Sequence, residues 1–265
     1  MKTKGFTLIE LLVVISVIAL LMGILMPALA RVRQLAIQLL CGSRLYGIGH
    51  AVHVYANDYE DQYPRAGPAN ATWPTQTITS SLYLLVRGDY VSTKQFMCRA
   101  DAGAAVFKAP DYSVLRDFGD QIKNCSYSYH YPYGQFGLTG ASEPQMAVAA
   151  DRNPWYDPSA DQNRWNDFDP AGADSDRQKA GNAQPHQING QNVLFVDGHV
   201  DFEKRSYCAM NDDNIYTIGG TAPAHYKGTK PVGKDVKPAH TKDSLLISEG
   251  SSVPVQPVRP RPPIR

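Results

Sequence analysis

Residues 5–28 read GFTLIELLVVISVIALLMGILMPA, and Glu10 is the one charged side chain in this stretch. The apolar segment from Phe6 to Ala28 has 23 residues. A bilayer core about 30 Å thick is crossed by about 20 helical residues, so the segment has the length of a single membrane span. Pro27 lies inside it and removes one backbone hydrogen bond, so we expect a kink or a loosened turn there.

The helical pattern continues beyond the apolar segment. Large apolar and aromatic side chains recur there, mostly at intervals of three or four residues, at Leu35, Leu39, Leu45, Ile48, Val52, Tyr55 and Tyr59. Such spacing places the side chains on one face of a helix. The sequence therefore predicts one helix from Phe6 to Tyr59 whose second half is amphipathic.

From about Gln62 the sequence changes to short apolar runs separated by Gly, Pro, Asn and Asp, which is typical of strands and loops. Within this region, Ser80–Arg87 fits a short second helix. Tyrosines alternate with other residues along Ser126–Gly134, as in an extended strand. A tyrosine stripe can bind sugars, but it more often packs on the domain core, and we expect the latter here.

The strongest hairpin signal is NVLFVDGHVDF at residues 192–202. Its two arms, Asn192–Val196 and His199–Phe202, flank the dipeptide Asp197-Gly198, which suits a two-residue turn with positive backbone angles. The chain is therefore predicted to fold as an α+β domain, in which a long N-terminal helix packs against an antiparallel β-sheet.

The composition excludes some classes of protein. The chain has 265 residues, 43% of them hydrophobic and 19% charged, with a formal net charge of +1. A dedicated nucleic-acid binder is normally strongly basic, so this class is excluded.

The four cysteines are too far apart for paired Cys-x-x-Cys zinc ligands, so we expect no metal bound by thiolates. In an extracytoplasmic domain they could form one or two disulfides with three alternative connectivities. A buried free thiol is an equal alternative for Cys41. The cysteines are Cys41, Cys98, Cys125 and Cys208.

Glu10 is the informative residue of the apolar segment. A carboxylate in the membrane costs several kcal/mol unless it is neutralised or paired. No partner for Glu10 is available locally. If the chain is cut after Gly5, however, the new α-amino group of Phe6 in one subunit could pair with Glu10 of a neighbouring subunit.

The segment Gly5-Phe6-Thr7-Leu8-Ile9-Glu10 resembles the class III signal of type IV pilins and type II secretion pseudopilins. The resemblance implies that a prepilin peptidase cleaves after Gly5 and methylates Phe6, and that Glu10 serves assembly. It also implies three kinds of partner: the peptidase, other pilin or pseudopilin subunits, and an inner-membrane assembly platform. The chain would be a single-pass inner-membrane protein with an extracytoplasmic domain, and then part of a periplasmic or cell-surface filament.

The remainder resembles prepilin-like proteins of the planctomycete type, which carry a processing-associated domain. The similar stretches are the helix from Cys41 through Tyr59 and the short motif Phe96–Asp101. The third is the C-terminal signature of a histidine, nine residues and Asp-Gly. Here His186 is followed by ten residues before Asp197-Gly198-His199, which is one residue more than the family spacing.

These features predict the organisation of the whole chain. We expect a leader at residues 1–5, a transmembrane and assembly helix at 6–30, and its amphipathic continuation at 31–61. An extracytoplasmic domain at 62–218 and a mobile, proline-rich tail at 219–265 would follow.

Two other functions are compatible with parts of the sequence. An ordinary signal peptide would use Ala28-Leu29-Ala30 as its cleavage site, but it would leave Glu10 unexplained in the apolar core. A membrane-anchored or secreted binding protein or hydrolase that does not polymerise would draw on candidate catalytic residues in the domain. These are His130, His186, Asp197 and His199, and since no nucleophile or metal-protease motif accompanies them, we assign no catalytic residue.

An acidic loop raises the question of calcium. Six carboxylates crowd it, at Asp157, Asp161, Asp167, Asp169, Asp174 and Asp176. The glycine and glutamate spacing of an EF-hand is missing, so a solvated loop is favoured over a calcium site. No other cofactor is predicted.

Overall fold

The structure is a computed structural model that describes residues 7–68, 71, 76–172, 174–219, 226–233 and 236–249. The chain divides into two compact units, residues 1–39 and 40–265. Helix α1 (Leu8–Asp58) begins in the first unit and ends in the second. The shorter helices described in the second unit are α2 (Ile78–Arg87), α3 (Gln121–Asn124), α4 (Arg164–Asp167) and α5 (Ser175–Lys179).

The strands described in the second unit are β1 (Tyr127–His130), β2 (Ala147–Asp151), β3 (Gln191–Phe195), β4 (Val200–Glu203), β5 (Tyr207–Ala209), β6 (Asp213–Asn214) and β7 (Leu246–Ile247). Five of them form an antiparallel sheet at the centre of the unit, with the strand order β4-β3-β2-β1-β7. A two-stranded ribbon pairs β5 with β6. The predicted α+β class is confirmed.

The predicted long helix is also confirmed. In the second unit its buried face includes Leu45, Ile48, Val52 and Tyr55, which follow the predicted interval of three or four residues. Because this face is covered by the domain, the second half of α1 is part of the core and not only an extension of the membrane span.

Glycines let this half of α1 approach the sheet closely. A Cβ added at Gly49 would lie 2.5 Å from Leu194 Cδ1 on β3, and one at Gly42 would lie 2.9 Å from Asn192 Oδ1. Each glycine weakens a helix by about 1 kcal/mol relative to alanine. The close contact with β3 explains why glycine stands at these positions.

The tyrosine stripe packs in the core, as predicted. Tyr127, Tyr129, Tyr131 and Tyr133 are all buried. The hydroxyls of Tyr127, Tyr129 and Tyr133 donate to backbone carbonyls, as when Tyr127 donates to Cys41 O at 3.1 Å. The strand itself ends at His130, earlier than predicted.

The predicted second helix is confirmed and begins at Ile78, two residues earlier than expected. Thr77 caps its N-terminus by accepting a hydrogen bond from the Ser80 N–H. At the C-terminus of this helix, the N–H of Gly88 donates a hydrogen bond to Leu84 O at 2.9 Å.

The predicted mobile tail from residue 219 was wrong for the part of the tail that the structure describes. Ile218 pairs with Thr229 in an isolated bridge, and β7 forms an edge of the central sheet beside β1. Leu245, Leu246 and Ile247 are fully buried. A two-residue strand is too short for alternation to reveal it. The proline-rich end, residues 250–265, lies outside the described residues.

Candidate functional site

The first unit presents an apolar surface. From Leu8 to Met26, the large apolar side chains are 45–78% exposed. The most apolar 18-residue window of α1 has a mean hydropathy of 2.9, and among the described residues α1 is the one helix long and apolar enough to cross a membrane. A helix that is apolar all round is stable when lipid or other apolar helices cover it.

Glu10 has a local partner, so the expectation that none is available was wrong. The backbone N–H and the hydroxyl of Thr7 both donate to Glu10 Oε2, at 2.8 and 2.7 Å. The N–H of Glu10 in turn lies 3.3 Å from Thr7 Oγ1. These reciprocal bonds form a capping box, which the Thr-x-x-Glu spacing at the start of an apolar run could have indicated.

The other predicted residues of this segment have different outcomes. Helix α1 continues through Pro27 without ending, so the proline does not terminate the helix, and a bend there stays a prediction. Gly5 and Phe6 lie outside the described residues. Their roles in cleavage and methylation likewise stay predictions.

The cysteines separate into a bonded pair and two free thiols. Cys41 and Cys98 form a disulfide across a sequence separation of 57 residues, with a Cα–Cα distance of 5.2 Å. Cys125 and Cys208 are free. Burial raises the pKa of the Cys125 thiol to about 12, so this thiol is protonated and unreactive at neutral pH.

His186 lies beside this disulfide in a buried polar cluster. Its Nε2 is 3.2 Å from Asp151 Oδ2, 3.2 Å from Asn192 Nδ2 and 3.7 Å from Cys98 Sγ. Nε2 donates to Asp151 when it carries the proton and accepts from Asn192 when it does not. The sequence pattern pointed to His186 but not to Asp151, because Asp151 ends an otherwise apolar strand.

The other signature residues, Asp197 and His199, lie in the hairpin and not in the cluster around His186. His199 Nδ1 is hydrogen-bonded to Asp197 Oδ1, and the His199 ring stacks on Phe195 with a centroid distance of 4.4 Å. Burial alone would raise the pKa of Asp197, but hydrogen bonds from the backbone and ring of His199 outweigh it and hold this pKa below its usual value. His186 thus contacts β2 and β3, whereas Asp197 and His199 contact each other.

The hairpin is confirmed, but its predicted two-residue turn was wrong. The Phe195 N–H donates to His199 O and the Gly198 N–H donates to Phe195 O, both at 3.0 Å. Three residues, Val196 to Gly198, therefore form the loop, and of these only Gly198 has positive φ, at +87°. Such a loop needs a single residue in the left-handed region, whereas a type I′ turn would force Asp197 there as well.

We expect Gly198→Val to lower the free energy of unfolding by about 1 to 3 kcal/mol. A β-branched side chain resists positive φ, and a Cβ at this position would lie 3.3 Å from His53 Nε2. Denaturant unfolding of the full chain in detergent, monitored by tryptophan fluorescence, measures the effect. His199→Ala is the matched control, because its half-exposed ring should cost less. Equal stability of Gly198→Val and wild type would contradict the backbone argument.

The three candidate histidines, all among the described residues, do not gather into one catalytic site. His130 is buried, and its Nε2 lies 2.9 Å from Phe136 O. Burial lowers the pKa of His130 to about 4, so its ring is neutral and donates to that carbonyl. Together with the separate contacts of His186 and His199, this arrangement gives the hydrolase alternative no geometric support.

Four of the six carboxylates of the acidic loop make local contacts. Asp157, Asp161 and Asp174 each accept, at 2.9 Å, the N–H of the residue two positions further on. Asp169 lies 3.9 Å from the Arg177 guanidinium. These turns and caps account for much of the acidic composition, and a solvated loop in preference to a calcium site stays the prediction.

Comparison with known proteins identifies the N-terminal segment. Residues 1–26 match the family model of the prokaryotic N-terminal methylation motif. Searches of curated proteins and of solved structures gave no significant match. With this motif, the long apolar helix and the antiparallel sheet, the chain has a pilin-like layout. The His186 to Asp197-Gly198 signature lies outside the matched residues, so its resemblance stays a prediction.

Proposed function

We propose that the chain is a structural subunit of a type IV pilus-like or type II secretion pseudopilus filament. The observation that carries this proposal is the methylation motif at residues 1–26, which belongs to precursors processed by a prepilin peptidase. Cleavage after Gly5 and methylation of Phe6 would yield the mature subunit.

The exposed apolar half of α1 supports assembly. In the membrane, lipid covers this surface; in a filament, the same surface of neighbouring subunits would cover it. Repetition of one head-to-tail contact between identical subunits produces an open helical filament. Extraction from the bilayer requires an inner-membrane assembly platform, since the apolar surface would otherwise stay in lipid. The filament would then lie in the periplasm or at the cell surface.

The structure of α1 disfavours an ordinary signal peptide. The helix is unbroken across Ala28-Leu29-Ala30, and its continuation from Cys41 to Ala56 forms part of the domain core. Cleavage after Ala30 would remove the apolar half and leave the capping box of Thr7 and Glu10 without a role. A non-polymerising anchored protein remains the competing function, and filament isolation distinguishes it.

We expect the mature chain to begin at N-methylated Phe6. Intact-mass analysis measures this on protein taken from the membranes of a host that has the peptidase. A host without the peptidase is the control, and there the chain should retain Met1–Gly5. Filaments sheared from the same cells should contain the processed form. A mature start at Arg31, or an uncut chain in the competent host, would refute the proposed processing, whereas correct processing without filaments would favour the anchored protein.

A further inference from the structure

We propose that Cys41, Cys98, His186 and Asp151 form a binding site for a zinc-class transition metal when the Cys41–Cys98 disulfide is reduced. In the oxidised chain the disulfide links α1 to the loop that carries Cys98. In the reduced chain a metal ion would hold the same two points together. This site is independent of cleavage and assembly at the N-terminus.

The ligand atoms are already close to one another. One atom each from Cys41, Cys98 and His186 lies within 4.8 Å of the others. Nε2 of His186 is 3.7 Å from Cys98 Sγ and 3.2 Å from Asp151 Oδ2. A tetrahedral zinc ion with ordinary bond lengths separates sulfur from nitrogen by about 3.5 Å. The edge of the tetrahedron from Cys98 Sγ to His186 Nε2 therefore matches a distance in the oxidised fold.

The burial of Asp151 is a second observation, independent of these distances, that points to a bound cation. Its side chain is completely buried, and its Oδ1 has no hydrogen-bond partner among the described residues. Its other oxygen accepts the backbone N–H of Asn192 at 2.7 Å and the Asn192 amide at 3.1 Å. A buried carboxylate with one unsatisfied oxygen costs stability, and a cation would remove that cost.

The surroundings hold the ligands in place. Asn192 fixes Asp151 through the two bonds just described, and the ring of Phe202 meets His186 edge to face at a centroid distance of 5.7 Å. Outer contacts of this kind orient metal ligands and strengthen binding. Asn192 is therefore a positioning residue and not a ligand.

The change between the two states is a balanced thiol–disulfide exchange. A dithiol reductant supplies two electrons and becomes a disulfide, the Cys41–Cys98 bond breaks, and each Sγ gains a proton. Metal binding then displaces both protons to solvent. The two sulfurs must move from a bonded distance of about 2.05 Å to about 3.8 Å on a tetrahedral ion. Cys98 lies in a loop that follows the 3₁₀ turn Thr93–Phe96, whereas Cys41 lies within helix α1. Because a loop backbone shifts more easily than a helix, we expect Cys98 to make most of this movement.

The donor set selects the class of metal. Two thiolates, an imidazole and a carboxylate favour Zn²⁺ or Co²⁺ over Ca²⁺ and Mg²⁺, which prefer oxygen ligands. Cysteines that are far apart in sequence can share a metal ion when folding brings them together. Tertiary folding brings together residues from four separate segments of the chain.

Cobalt titration of the full chain in detergent tests the proposal. The chain is reduced with dithiothreitol, desalted without oxygen and titrated with Co²⁺ alone. We expect one Co²⁺ per chain, with a thiolate-to-metal charge-transfer band and the visible bands of tetrahedral Co²⁺, and we expect Zn²⁺ to displace it. The oxidised chain should show neither band. A reduced, folded chain without the charge-transfer band, or an oxidised chain with the same bands, would overturn the proposal.

Variants assign the ligands. His186→Ala should lose the tetrahedral visible bands, and Cys98→Ser should lose about half of the charge-transfer intensity, since one thiolate of two remains. Asn192→Ala should weaken Co²⁺ binding by about 10- to 100-fold, as expected for an outer contact. His199→Ala is the matched control and should bind like wild type. Far-UV circular dichroism is recorded on each variant, and wild-type spectra in folded His186→Ala or Cys98→Ser would overturn the assignment.

Discussion

Glu10→Gln is expected to prevent filament assembly while membrane insertion and cleavage after Gly5 continue. Glutamine keeps an oxygen that can accept from Thr7, so the capping box survives, but it removes the charge that would pair with the Phe6 α-amino group of a neighbouring subunit. Loss of one partner leaves the other charge unpaired in the apolar filament interior, so we expect the contact between subunits to weaken by at least about a hundredfold. Sheared-filament yield and the cleaved fraction are measured in the same cells.

Two further variants separate the charge of Glu10 from its capping role. Glu10→Ala removes both, so it should assemble no better than Glu10→Gln. Thr7→Val removes the hydroxyl that bonds to Glu10 Oε2 and keeps the charge, and a lost cap costs only about 1 kcal/mol. Thr7→Val should therefore still form filaments. Normal filament yield from Glu10→Gln with normal cleavage would disprove the intersubunit pair.

The double substitution Cys41→Ser with Cys98→Ser should lower the free energy of unfolding by about 4 kcal/mol. The disulfide closes a loop of 57 residues, and loop closure of this length restricts the unfolded chain by about that amount. Denaturant unfolding in detergent measures the difference, with a chelator present so that no metal stabilises either protein.

Cys208→Ser is the matched control for this double variant. Cys208 is a free thiol whose Sγ makes one weak contact with Ser206 O, at 3.8 Å, so its replacement should change stability by less than about 1 kcal/mol. If the double variant were as stable as Cys208→Ser, the disulfide would not form in the mature protein. Mass analysis before and after reduction would then count the remaining thiols.

The parts of the fold that local physics controls could be predicted from the sequence. The apolar run and its amphipathic continuation determine α1, because helical periodicity depends only on neighbouring residues. The Asp197-Gly198 pair predicts the hairpin for the same reason. Even so, the turn has three residues in its loop, since a single glycine in the left-handed region closes it with less strain than two residues there would.

The features that could not be predicted join residues far apart in the chain. The pairing of Cys41 with Cys98 could not be chosen among three connectivities, because each cysteine's environment is set by segments that meet only on folding. The contact of His186 with Asp151 has no local signal, and β7 is too short to show a period, so its place beside β1 depends on burial. The membrane-length helix, the methylation motif and the position of Glu10 follow from the sequence alone, since each is a property of one continuous segment. The covalent cross-link and the buried polar cluster instead depend on the packing of α1, β2 and β3.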